Sequence, residues 1–207
     1  RAMAMDVFES LAGTPDIERI VVVSREPEVS ALAAEVGASV LLEKEGGGLN
    51  AAVAQGAQMA MEAGAGGIFV VHGDLPLATS EAFGTVLAAH ARSPLPAVTV
   101  VADAERQGSN CLACSPPNII PFLFGRESCP AHVAAARARG IDAVVIDSPT
   151  LSLDVDCAAD LESLLCSTHD SRSVAYLHNS GIASRLELES ATPPAPVQVS
   201  SPARGSA

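Results

Sequence analysis

Apolar residues fall along this chain in short blocks whose spacing switches between a helical and an extended rhythm. Residues 2–12, AMAMDVFESLA, place apolar side chains every three or four positions and stop at Gly13, which predicts a helix closed by a glycine. The apolar run after it reads as a buried strand over 19–24. PEVSALAAEVG predicts a second helix ending at Gly37, and ASVLLE a second strand. After the glycines at 46–48 comes LNAAVAQGAQMAMEAG, a helix rich in small residues, then strand GIFVVH, helix TSEAFGTVLAAHAR and strand PAVTVVAD. Strands that are apolar throughout and alternate with helices must be covered on both faces. The pattern therefore predicts a three-layer α/β/α domain around a mostly parallel, Rossmann-like sheet.

Past Asp103 the rhythm changes. SNCLACSPP reads as a strand, NIIPFLFG as an irregular apolar segment, and Ser128 as the cap of a helix PAHVAAARARG that closes at Gly140. Two short strands, AVVIDS and LSLDVD, precede a last helix, AADLESLLC. From there the period fades into ATPPAPVQVSSPARGSA, rich in Pro, Ser and Ala. The expected organisation is one domain over 1–166 and a disordered tail over 167–207.

Composition narrows the class of protein. The 207 residues are 48% hydrophobic with a mean hydropathy of +0.31, yet no apolar block approaches the roughly 20 residues of a membrane-spanning helix. A net charge of −12 argues against a nucleic-acid surface, which needs clustered Lys and Arg. The five cysteines, at 111, 114, 129, 157 and 166, are odd in number and lack a disulfide-framework spacing, which fits a reducing cytoplasm. The CxxC of Cys111 and Cys114 has no second pair to complete a zinc site, so these thiols are expected to be buried packing groups. The first residues show no signal-peptide layout.

Candidate chemistry begins with GGIFVVHGDLPLA, where an apolar strand ends in Asp74. Ligands of open α/β sheets bind beyond the carboxyl ends of strands, and Pro76 holds the backbone extended there. Asp154 and Asp156, in LSLDVD, share one face of a second expected strand end. Three carboxylates at two strand ends suit Mg2+, although each could equally be a turn or capping residue. Gly108, Ser109 and Asn110 form a tight turn offering backbone N–H groups and a hydroxyl. Gly125, Arg126 and Ser128 stand ahead of a helix N-terminus that favours an anion. A capped helix and a hairpin turn account for the same residues. Gly48, Leu49 and Asn50 follow the glycine run, and the Asn50 amide has the donors and acceptor to read a base edge.

In this order, GGGLNAA, HGDLPL, GSN…SPP…FG…S…H…A…G and LDVD…DL resemble the 2-phospho-L-lactate guanylyltransferase family of coenzyme F-420 biosynthesis, within the MobA-like nucleotidyltransferase fold. The resemblance runs from the first helix to Leu161. It implies a cytoplasmic enzyme that joins GTP to 2-phospho-L-lactate, phosphoenolpyruvate or 3-phospho-D-glycerate and releases pyrophosphate, with a homodimer among the arrangements allowed. By motif match, Asp74 and Asp154 hold magnesium with Asp156 close by, Ser109, Gly125 and Ser128 grip the acid, and Gly48, Leu49 and Asn50 flank guanine. The family's first strand and its Lys/Arg-containing phosphate loop have no counterpart before residue 2, and Lys44, the one lysine, is not their equivalent. Ser109 stands where the family usually has Thr, Cys157-Ala158 replaces Thr-Pro, and Glu127 replaces a glycine. Two other readings follow from the same residues: a sugar-nucleotide glycosyltransferase using the Asp-x-Asp, and a non-catalytic fragment or paralogue that binds a ligand or partner.

Overall fold

The structure, a computed structural model, describes residues 1–190. Helix α1 (Ala2–Ala12) leads into strand β1 (Val21–Ser24), helix α2 (Pro27–Glu35), strand β2 (Ser39–Leu42) and helix α3 (Gly48–Glu62). Strand β3 (Ile68–Val71), helix α4 (Ser80–Ala91) and strands β4 (Ala97–Ala102) and β5 (Ser109–Ser115) follow. Helix α5 (Ser128–Arg137) and strand β6 (Val144–Ile146) come next, and then helices α6 (Ala158–Leu165), α7 (Arg172–Asn179) and α8 (Ile182–Ser190). No helix among the described residues is long and apolar enough to cross a membrane.

β1 and β2 pair in parallel, while the other four strands form a sheet ordered β3-β5-β4-β6. β3, β4 and β6 run one way, and β5 is reversed between β3 and β4. The expected parallel direction holds for β3, β4 and β6, and β5 is the one reversed strand of this sheet. The turn over 103–108 returns the chain directly beside β4, and a short connection of this kind joins antiparallel neighbours. β4 and β5 are almost wholly buried, and alternate residues feed two separate cores. Val101 and Cys111 join Met5, Val7, Phe8, Leu32, Phe83 and Val86 under α1, α2 and α4. Val98, Val100, Leu112 and Cys114 meet Phe124, Cys129 and Ala136 on the α5 side. Cys111 and Cys114 therefore point to opposite faces, both as free thiols with pKa values raised by burial, as expected of packing groups.

Two expectations are overturned. LSLDVD is not a strand; the chain turns at 148–152 and runs irregularly through Asp154 and Asp156. The stretch after 166 is not wholly tail, because α7 and α8 pack their apolar residues against α6 around Leu77, Leu164 and Leu177. The remaining expected disorder, over 191–207, lies outside the described residues. The start of α7 is fastened by α1. Buried Asp6 accepts hydrogen bonds from the backbone N–H groups of Arg172 (2.9 Å) and Ser173 (3.0 Å) and from the Ser173 hydroxyl (2.5 Å). Arg172 also grips Glu9 through two N–H···O contacts of 2.9 and 2.6 Å, which holds the exposed Glu9 carboxyl below its ordinary pKa. His90 of α4 bridges Thr99 of β4 (3.0 Å) and Ser115 of β5 (2.9 Å), and burial lowers its pKa.

These contacts yield two expectations for stability. Asp6→Ala strips a helix N-terminus of its buried acceptor and should cost about 2 kcal/mol in urea unfolding, with a larger loss than Glu9→Ala at the exposed ion pair. For His90, the unfolded chain takes up a proton near the ordinary value of about 6.5, whereas the folded protein resists doing so until lower pH. The unfolded state then binds more protons below that point, so stability should be level above it and fall with acid beneath it. His90→Gln should give a shallower acid slope in thermal melts between neutral pH and pH of about 5.

Candidate active site

β3 ends at Val71, but its backbone pairing continues to His72, whose N–H donates to the Asn110 carbonyl at 3.2 Å. The chain then leaves the sheet through Gly73 and Asp74 and dives into a buried turn at Leu75–Ala78, closed by Ala78 N–H to Leu75 C=O at 3.1 Å. Asp74 is thereby held at the strand tip, half-buried. Its Oδ1 is buried without a hydrogen-bond partner among the described residues, and so is His72 Nε2. Burial pushes the Asp74 pKa up. The adjacent His72 and its own backbone N–H pull it down, and Asp154 and Asp156 raise it further. The two acids from the far segment therefore face Asp74 closely enough for their charges to be felt there.

What brings them is Asn110. β5 carries a bulge at this point, since Val101 pairs with Cys111 and Ala102 with Ser109, leaving Asn110 as the extra residue. Its buried amide donates to the Leu151 carbonyl (3.0 Å) and lies 3.4 Å from Asp154 Oδ1. Sequence reasoning placed Asn110 in the turn but missed this role, because only the bulge aims it. Asp156 proves not to be a cap: α6 is capped by Cys157 together with Asp160, whose Oδ2 accepts from the N–H groups of Asp156 (2.9 Å) and Cys157 (2.8 Å). Among the described residues no three His, Cys, Asp or Glu side chains form a ready-made metal cage. An unpaired buried carboxylate oxygen with two further acids nearby is the donor set of a hard divalent cation that keeps open positions.

The neighbouring residue on β5, Ser109, serves the other cluster. Its backbone N–H donates to Ser128 Oγ at 2.8 Å, and its hydroxyl lies 2.9 Å from His132 Nδ1. Ser109, Ser128 and His132 are all buried. Ser128 is the first residue of α5 rather than its cap; Glu127 takes the cap position in a left-handed conformation (φ 59), and Gly125 before it adopts φ 129, which side-chain-bearing residues rarely reach. The N–H groups of Gln107 and Gly108 are consumed by the Asp103 carboxylate at 2.8 and 2.7 Å, so this turn offers a ligand hydroxyls rather than the expected backbone donors. A Cβ on Gly108 would stand 2.6 Å from Asp103 Oδ2, which explains the glycine. Burial holds the His132 pKa down at about 4, with His72 adding to the effect.

Gly48, Leu49 and Asn50 open α3, with Gly48 at φ 64 and Leu49 exposed. The Asn50 amide is engaged at both ends: Oδ1 accepts from Phe124 N–H (2.7 Å) and Nδ2 donates to Phe124 C=O (3.0 Å). Reading a base through this amide would require those bonds to be exchanged. The Phe124 ring in turn lies between His72 (centroids 5.2 Å apart) and His132 (4.9 Å). The structure thus gathers Asp74, Asp154 and Asp156 on one side of the β5 start and Ser109, Ser128 and Gly125 on the other, with the α3 N-terminus tied to both through Phe124.

Comparison with known proteins identifies the family and the fold. The sequence profile of the family described as "Guanylyl transferase CofC like" matches residues 1–196. A phosphoenolpyruvate guanylyltransferase of Rubrobacter xylanophilus is 36% identical over 162 residues, covering 78% of this chain and 77% of that protein. A 3-phospho-D-glycerate guanylyltransferase of Colwellia psychrerythraea is 34% identical over 145 residues, covering 70% and 67%. Among solved structures, a candidate nucleotide-diphospho-sugar transferase from Desulfovibrio desulfuricans superimposes with a TM-score of 0.69 at 15% identity, over 89% of this chain and 82% of that one, a likeness of fold. A 4-diphosphocytidyl-2C-methyl-D-erythritol synthase from Anaerococcus prevotii gives 0.60 at 11% identity, over 86% of each. With an α/β nucleotidyltransferase-like fold and a family match across nearly all of its described length, the chain belongs to the CofC-like guanylyl transferase family of nucleotidyltransferases.

Proposed function

We propose that the protein transfers the guanylyl group of GTP to the phosphate of a phosphorylated three-carbon acid, releasing pyrophosphate, as a step in coenzyme F-420 biosynthesis. The observation that carries this reading is the pairing of an unpartnered carboxylate oxygen at Asp74 with the two buried hydroxyls of Ser109 and Ser128, one group on each side of the β5 start. Asp74 and Asp154 are the residues that would hold Mg2+, with Asp156 close by. Bound there, Mg2+ would neutralise charge on the triphosphate and the departing pyrophosphate. Asn110 steadies Asp154 for this purpose. Ser109, Ser128 and the open backbone at Gly125 would orient the acid. Its phosphate is already an anionic nucleophile, so the chain supplies position and electrostatic complementarity and needs no side-chain base. Gly48 and Leu49 at the head of α3 would flank the guanine, with Asn50 fixing the loop they face. Phosphoenolpyruvate is the acid expected to react fastest, since the Rubrobacter xylanophilus relative bears that name at 36% identity.

The test is to incubate the full-length protein with GTP, Mg2+ and, separately, phosphoenolpyruvate, 3-phosphoglycerate and 2-phospholactate, following pyrophosphate. Release should require acid and metal, and Asp74→Ala and Asp154→Ala should each lower it at least about a hundredfold; wild-type turnover in both variants would overturn the metal assignment. A second expectation separates function from architecture. Because Asp74 is half-buried, its charge disfavoured by burial and one of its oxygens without a partner among the described residues, Asp74→Asn in chelator at neutral pH should leave stability unchanged or raise it by about 1 kcal/mol, and should abolish turnover in the presence of metal.

A further inference from the structure

Ser109 and His132 look at first like a nucleophile and its base, 2.9 Å apart and buried. The far side of the ring rules that out. His132 Nε2 lies 2.9 Å from the backbone N–H of Leu123, a group that can only donate, so Nε2 carries the lone pair. In a neutral imidazole the proton then resides on Nδ1, and the ring is kept neutral by its burial. Nδ1–H must donate to Ser109 Oγ and cannot take that hydroxyl's proton. The Ser109 hydroxyl, with one acceptor position filled by the ring, keeps its own proton free to donate. Ser128 is treated in the same way, since its Oγ accepts the Ser109 backbone N–H at 2.8 Å. Each of the two buried hydroxyls thus receives a hydrogen bond from behind, one from an imidazole and one from a backbone amide, and is biased toward donating.

We propose that His132 is a positioning residue which, through its Nδ1–H tautomer, fills one acceptor position of Ser109 and biases its hydroxyl toward donating, so that the site favours a fully ionised phosphate or carboxylate oxygen over a ligand group that must itself donate. This rests on the reading that Ser109 and Ser128 hold the phosphorylated acid. The chain of control is backbone to ring to hydroxyl: Leu123 fixes the tautomer, the tautomer donates to Ser109, and the Ser109 proton is left available to a ligand. The same irregular segment carries Gly125, so the loop that shapes the pocket also sets its polarity.

Two substitutions divide the bonds of the ring. In His132→Asn the amide nitrogen takes the place of Nδ1 and still donates to Ser109, while the contact to Leu123 is lost. In His132→Gln the amide oxygen takes the place of Nε2 and keeps Leu123, while the donor to Ser109 is lost. His132→Gln and Ser109→Ala should each raise KM for phosphoenolpyruvate about tenfold, the worth of one hydrogen bond to a charged group. KM for GTP and kcat should change little, and His132→Asn should retain most of the acid affinity. The Ser109→Ala/His132→Gln double variant should be no worse than Ser109→Ala alone, because both remove one bond. Independently of turnover, long-range proton–nitrogen correlation spectra of the imidazole-labelled protein should show His132 protonated at Nδ1 and bare at Nε2 across neutral pH. Equal effects of Asn and Gln, additivity in the double variant, or an Nε2–H tautomer would each overturn the proposal. If the spectrum shows the Nδ1–H tautomer but no phosphorylated acid binds or reacts, the functional reading and the selection built on it fail together, while the direction of the hydrogen bonds stands.

Discussion

The site depends on how the two-residue segment Leu123-Phe124 is held. Its backbone donates twice and accepts once from side chains on two different helices: Leu123 N–H to His132 of α5, and Phe124 N–H and C=O to the Asn50 amide of α3. Its ring fills the space between His72, at the end of β3, and His132. An irregular loop has no ladder to satisfy its polar groups, and each buried N–H left unpaired would cost about 1–3 kcal/mol. Asn50 and His132 remove that penalty and, in doing so, fix the separation of three elements that share no sheet hydrogen bonds. The acid cluster and the hydroxyl cluster inherit their relative placement from this one knot.

The electrostatic design follows from the same economy of parts. A chain with a net charge of −12 must bring together ligands that are themselves anionic. On the proposed reading, the acid substrate would be met by neutral groups, the Ser109 and Ser128 hydroxyls, each held by a group behind it. The nucleotide would be met by carboxylates, which could serve only through a cation. The two halves therefore demand different partners, and the residue alternation at Ser109 and Asn110, sharpened by the bulge, is what sends one side chain to each half.

Much of this was legible in the chain. The helix and strand order through β4 follows from hydrophobic period, and Asp74 was found because an acid stands where an apolar strand stops. Ser109 and Ser128 were found as separate turn and helix-start signals; that they bond to each other depends on the reversed strand β5, which no local period announces. Asn50 was read as a free amide because a sequence shows donors and acceptors but not which are already engaged, and its partner lies 74 residues away. Asp156 was given a capping alternative that Cys157 and Asp160 in fact perform, a shift along the chain that only the helix geometry decides. α7 escaped notice although Ser171 caps it and Val174 and Leu177 form its apolar face, because its docking surface, Asp6 and Glu9 of α1, lies at the opposite end of the chain.

Asp6 and Asp74 show how the finished structure separates architecture from chemistry where composition cannot. Both are aspartates withdrawn from solvent on the same domain. Asp6 accepts three hydrogen bonds from the start of α7, every one of them formed within the folded chain, so its burial is compensated and its role is complete. Asp74 is held as firmly, by the strand before it and the buried turn after it, but its inner oxygen has no partner among the described residues and two further acids act upon it. Burying a polar oxygen without compensation works against stability. The unsatisfied Asp74 oxygen is therefore the feature on which the proposed cation site rests, whereas Asp6 calls for nothing outside the chain.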